Sequence, residues 1–81
     1  MNTQSKINVE KIHPSMSCYD FSVVPLALNG ISDPFRSHIL ATSIDQKTSF
    51  LLGCKKNPFI YDTFIEAQAD IKLLNDWKKR Q

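Results

Sequence analysis

Glycine is almost missing from this chain. Gly30 and Gly53 are the only two, and neither lies in a glycine-rich run, so a phosphate-cradling loop of the nucleotide-binding kind is excluded. Cysteine is as scarce: Cys18 and Cys54 stand 36 positions apart with no C-x-x-C pair. The two histidines, His13 and His38, form no H-x-x-x-H unit that would place two ligands on one element. No metal site and no cofactor is therefore expected. The opening residues MNTQSK hold no apolar run of the secretory type, and nowhere do 18 apolar residues follow one another, so neither a signal segment nor a membrane span is expected. The chain reads as soluble, intracellular and cytoplasmic, with both thiols reduced and buried as small hydrophobes rather than bridged. An excess of one charge is lacking too. Ten Lys and Arg against eight Asp and Glu leave +2, too mild to mark a nucleic-acid protein by itself.

Length excludes more. With 81 residues there is room for one domain, and a chain of this size buries only about 60% of the surface its unfolded form exposes. A deep, enclosed active site is not expected. Ordering costs on the order of 1.5 kcal/mol per residue, which brings a small core near balance and makes association with a second copy favourable. A cysteine, a histidine and an acid such as Asp20 can be named, but no local signature joins them into a nucleophilic set. Neither an enzyme nor a small-molecule substrate is expected.

What the sequence does contain is one strongly patterned helix, Asp62–Arg80, DTFIEAQADIKLLNDWKKR. Thr63 followed by Glu66 fits a capping box, with the hydroxyl taking a free N–H of the first turn and the glutamate reaching back. Lys78, Lys79 and Arg80 fill the last turn, where cations meet the negative end of the helix dipole. At about 100° per residue, Phe64, Ala67, Ile71 and Leu74 make one apolar stripe, assigned to the core. Ile65, Ala69, Leu73 and Trp77 make a second stripe on roughly the opposite side. A surface helix needs only one apolar face, so the second predicts cover by the N-terminal segment, a loop, a partner protein or a second copy.

Ahead of the helix the pattern is that of strands. Residues 1–5 are polar and expected to be disordered. Lys6–Ile12 alternates Ile7 and Val9 with Asn8 and Glu10 and reads as a short edge strand, ended by His13 and Pro14. Cys18–Leu28 is the best strand, with Tyr19, Phe21 and Val23 on one face. Pro25, having no N–H, implies an edge or a bulge, after which Leu26 and Leu28 take the inward face. Asn29–Arg36 is expected to be a loop rather than a tight hairpin, with Ile31 and Phe35 pinning it to the body; an exposed Phe35 beside Arg36 would instead be a contact residue. Ser37–Ile44 and Thr48–Cys54 read as a hairpin around Asp45, Gln46 and Lys47, and Phe59–Tyr61 as a few extended residues. Strands first and helix last give the α+β class: a small antiparallel sheet of three or four strands with one long C-terminal helix across one face, residues 6–61 supplying strands and loops and 62–80 the helix.

Two functional readings follow. In the first, the chain is a small non-enzymatic interaction protein acting on a protein partner or as a homodimer, with Trp77, Leu73, Ala69, Ile65 and Phe35 at the interface. Compact α+β chains without a catalytic constellation are typical of accessory, regulatory and inhibitor proteins, including those of phages and mobile elements. In the second, Lys47, Lys55, Lys56, Lys78, Lys79 and Arg80 bind a nucleic-acid backbone. The segment Tyr61, Asp62, Thr63, Phe64, Ile65, Glu66, Ala67 is similar to the turn-into-helix segment of the three-stranded DNA-binding domains of plant ethylene-response factors and phage integrase arms. That local resemblance implies a sheet that enters the major groove with the helix packed behind it. The family's sheet presents several Arg and Trp residues to DNA, whereas the strands here carry Ser, Thr, Asp and aliphatics. No membrane contact is expected in either reading.

Overall fold

The computed structural model describes residues 5–81; the expectation of disorder over residues 1–5 falls, but for Ser5, outside the described residues. Two strands dominate. β1 (Tyr19–Leu28) and β2 (Ile31–Ser43) form a long antiparallel hairpin, closed by Asn29 and Gly30 with φ of 55° and 79°. Positive φ at both central residues is the type I′ turn, whose twist matches that of the strands and which favours Asn-Gly. The expected loop over Asn29–Arg36 is therefore a two-residue turn, and the Ser-Asp-Pro run behind it is absorbed within β2. It is absorbed as a bulge. Pro25 pairs with Ser37 and Ala27 with Ser32, so Leu26 alone stands opposite Asp33 to Arg36. The irregularity falls next to Pro25, as implied, with the extra residues on the central strand β2, while Pro25 itself stands on β1, an edge of the sheet.

β3 (Ser49–Leu51) pairs with the far half of β2, in the order β1-β2-β3, and so forms the expected hairpin around Asp45. Its second strand is shorter than expected because Gly53 turns the chain at φ 114° into a small hairpin, β4 (Gly53–Cys54) with β5 (Asn57–Pro58). A Cβ at Gly53 would lie 2.5 Å from the Phe59 amide nitrogen, so glycine is required there. One sheet face carries Tyr19, Phe21 and Val23 opposite Ser43, Ala41 and Ile39.

Helix α1 (Phe64–Lys79) lies across that face, completing the α+β architecture. Its capping box is present as read: Thr63 Oγ1 accepts the Glu66 N–H and Glu66 Oε2 accepts the Thr63 N–H, each at 3.2 Å. The core is Ile39, Ala41, Leu52, Tyr61, Ala67 and Leu74, Tyr61 being drawn in by a two-bond bridge to Ser37. The buried line of the helix is Ala67, Asp70, Leu74 and Trp77, rotated from the expected stripe, so that Ile71 is half-buried and Phe64 exposed. Asp70 causes the rotation to be tolerable. Its Oδ2 accepts from the Tyr61 hydroxyl at 2.5 Å and from the Lys6 N–H at 3.0 Å, and a buried carboxyl so satisfied is no longer a defect. Burial, then the Asp70 hydrogen bond and charge, hold the Tyr61 phenol far above its ordinary pKa.

The N-terminal segment is not the expected strand. Val9–Lys11 and Pro14–Cys18 are 3-10 turns, because Asn8 Oδ1 accepts the Glu10 N–H and His13 Nδ1 the Ser15 N–H. Such local acceptors divert backbone donors from a ladder. Ile7, Ile12 and Met16 pack half-buried against the core, and Lys6 fastens this strap to the helix through Asp70, its ammonium lying 5.8 Å from the Tyr61 ring centre. Among the described residues no helix is long and apolar enough to cross a membrane.

Candidate interaction surfaces

The turn end of the β1–β2 hairpin is built unlike its base. Every residue from Ala27 to Arg36 is exposed except half-buried Asp33, and three of them are large hydrophobes: Leu28 at 59%, Ile31 at 74% and Phe35 at 70% exposure. Leu28 and Ile31 form a direct cross-strand pair flanking the turn. With Ser32, Asp33 and Pro34 they line an open hollow of about 280 Å³. Neither Ile31 nor Phe35 pins this segment to the body, and of the two leucines expected to face inward only Leu26 is buried. The bulge is stiff nonetheless. Asp33 Oδ1 accepts the Phe35 N–H at 2.8 Å and the Arg36 N–H at 2.7 Å, while Oδ2 accepts from Arg36 Nε at 2.9 Å. The Arg36 amide first, then the Phe35 amide and the guanidinium, lower the Asp33 pKa to about 2.

A second apolar area lies on the outer side of α1. Ile65, Ala69 and Leu73 are exposed, Ile65 at 77%. Trp77 does not accompany them: it is 7% exposed and lies on the buried line of the helix. The assignment to the outer stripe failed because Trp77 lies near the border between the two arcs, and the large indole is turned inward. The N-terminal strap meets the helix at Asp70 and leaves Ile65, Ala69 and Leu73 uncovered.

The basic residues are divided. Lys78 reaches across to the Tyr19 carbonyl at 2.6 Å and Asp20 at 3.3 Å, its ammonium 5.7 Å from the Phe21 ring centre, so it is engaged within the fold. Lys47 belongs to the loop behind Ser43, which pairs with Tyr19, and this places it at the same end of the sheet as Lys78, Lys79 and Arg80. Lys55 and Lys56 form the turn of the β4–β5 hairpin, which follows β3 through Leu52, whose N–H bonds the Ile39 carbonyl farther along β2 from Ser43. The sheet face away from the helix carries Asp20, Ser22, Val24, Leu40 and Thr42, with no Lys or Arg on those paired positions.

The chemistry-bearing side chains are scattered. Cys18 and Cys54 are free and exposed, not buried as expected, since one closes the 3-10 turn before β1 and the other lies in the outlying β4–β5 hairpin. His38 is buried with Nδ1 2.8 Å from the Phe59 carbonyl oxygen; His13 caps a turn. Among the described residues no three of His, Cys, Asp and Glu come together. Sequence reasoning missed Leu28 and Ile31 as surface residues, and the signal was present: an Asn-Gly pair between two aliphatics is a hairpin end. No protein-family model matches the chain, and neither the curated proteins nor the solved structures contain a match to it.

Proposed function

We propose that the chain is a non-enzymatic interaction protein, of accessory, regulatory or inhibitor type, that docks onto another macromolecule through the turn end of the β1–β2 hairpin. The observation that carries this reading is Phe35: a largely exposed aromatic held on a stiff bulge by three hydrogen bonds to Asp33, beside exposed Leu28 and Ile31. Interface energy concentrates in a few large side chains that find pockets, and a backbone already braced around such a side chain has less freedom to lose on binding. The outer stripe of Ile65, Ala69 and Leu73 is an auxiliary contact in this reading.

A photo-crosslinking amino acid at position 35, compared with the same probe at exposed Lys79, tests the proposal in extracts of the source cell. Discrete adducts from position 35, competed by unlabelled wild-type protein but not by an Ile31→Thr variant, are expected. Equal adducts from both positions, or none from position 35, would contradict it.

A further inference from the structure

We infer that Lys78 closes the open edge of the sheet: its side chain lies across β1 and, together with Pro25, leaves too little free ladder there for the β1 strand of a second copy to add. A long edge strand offers its N–H and C=O groups to any strand that can align with it. Among the described residues the sheet order is β1-β2-β3, so the ten-residue β1 has a sheet neighbour on one side only. Which of its residues face outward follows from the bonding to β2. The Ile44 N–H bonds the Cys18 carbonyl at 3.1 Å, while Ile39, opposite Val23, gives its carbonyl to the Leu52 N–H on the other side. Backbone direction alternates along an antiparallel pair. Asp20, Ser22 and Val24 therefore turn their groups to β2, and Tyr19, Phe21, Val23 and Pro25 turn theirs outward.

Both ends of this outward row are stopped. The Tyr19 N–H bonds the Met16 carbonyl and closes the 3-10 turn ahead of the strand. The Tyr19 carbonyl accepts from Lys78 Nζ at 2.6 Å. At the other end Pro25 has no N–H, and the register shift follows it at once. Phe21 and Val23 stand between the stops, a ladder of two residues where an added strand ordinarily runs to about five or six. Lys78 also crosses the edge rather than merely reaching it. Phe21 stands on the helix side of the sheet and Asp20 on the far side, and the ammonium lies 5.7 Å from the Phe21 ring centre and 3.3 Å from Asp20 Oδ1. A strand approaching to the usual spacing of about 4.8 Å would have to displace it. Contacts with three successive residues, Tyr19, Asp20 and Phe21, hold it in place. The inference does not depend on docking through the hairpin end.

Amide hydrogen exchange of the wild-type monomer is the first test and needs no substitution. The Phe21 and Val23 amides should exchange at least about 100-fold faster than those of Asp20 and Ser22; equal protection would show that the edge is already covered and would overturn the inference. Lys78→Met, which keeps the aliphatic stem and removes the donor, is then compared with Lys79→Met, which removes the same charge from an exposed neighbour. In sedimentation velocity over a dilution series, Lys78→Met should associate at a concentration at least about tenfold lower than Lys79→Met, and adding Pro25→Val, which restores a donor, should lower it further. Lys78→Arg, which retains a charged donor, should behave as the wild type. In the associated form the Phe21 and Val23 amides should gain at least about tenfold protection. Circular dichroism checks that each variant is folded, and Lys78→Gln takes the place of Lys78→Met if it is not. Association no stronger than that of Lys79→Met, or association that leaves Phe21 and Val23 unprotected, would overturn the inference.

Discussion

The β1–β2 hairpin is one element with two halves that obey different rules. At the base, Tyr19 to Val23 pair with Ile39 to Ser43 beneath helix α1, and Ile39 and Ala41 are completely buried. At the turn end, Leu28, Ile31 and Phe35 are as apolar but open to solvent. The two are separated by the bulge opposite Leu26 and by the bridge from Ser37 to Tyr61. Local hydrogen bonding keeps the outer half in shape: the type I′ turn closes it and Asp33 braces the bulge. The difference teaches that apolar residues in this chain have two employments. Those under the helix contribute stability by leaving water, whereas those at the turn end stay in water and, in the docking reading proposed above, would give that gain only on association.

The comparison is broken most severely by removing a residue from the covered side. Trp77→Ala should cost about 3–5 kcal/mol, comparable with the whole stability of so small a domain, and the variant's urea transition should be shifted to near-zero denaturant or lost. Next in size is Tyr61→Phe. Without the hydroxyl, Asp70 keeps only the Lys6 amide, and leaving a buried polar group short of a partner costs about 1–3 kcal/mol. A hydrogen-exchange map should show the loss concentrated at the N-terminal strap, including the Lys6 amide.

On the uncovered side the effects are smaller and sharper. Asp33 has a pKa lowered to about 2 by the amides of Arg36 and Phe35 and by the Arg36 guanidinium. A depressed folded-state value means that the brace contributes fully above the ordinary carboxylate range and is lost as pH falls toward about 2. In an NMR titration Asp33 should still be ionised at pH 3, where an ordinary aspartate is largely protonated, and the Phe35 and Arg36 amide shifts should move only with it. Titration of Asp33 near the ordinary aspartate value would show that the bulge is loose.

Much of the fold was legible because it is dictated locally. The capping box at Thr63 and Glu66, the alternation Tyr19, Phe21, Val23 and the turn around Asp45 are each written in a few neighbouring residues. The N-terminal strap was not legible, since Asn8 and His13 override a two-residue alternation with side-chain hydrogen bonds. Nor was the helix's true inner face: Asp70 is polar, and only its tertiary partners Tyr61 and Lys6 make it a core residue. Trp77 followed from the same error, as a stripe drawn through Phe64 rather than Asp70 leaves the indole on the wrong side. Of the candidate contact residues, Ile65, Ala69 and Leu73 are exposed on the outer side of the helix, and Phe35 is exposed rather than pinned to the body, while Leu28 and Ile31 were hidden behind the assumption that Asn29–Arg36 is a loop.

The division of labour is tested most directly by equilibrium urea unfolding, at a protein concentration low enough to keep the chain monomeric, of a triple variant carrying Leu28→Thr, Ile31→Thr and Phe35→Thr. Threonine keeps the strand preference of these positions while removing the apolar surface. The account predicts a stability within about 1 kcal/mol of the wild type, in contrast to the several kcal/mol expected for the single Trp77→Ala change. A triple variant destabilised as much as Trp77→Ala would show that the turn end belongs to the core after all and holds no surface in reserve.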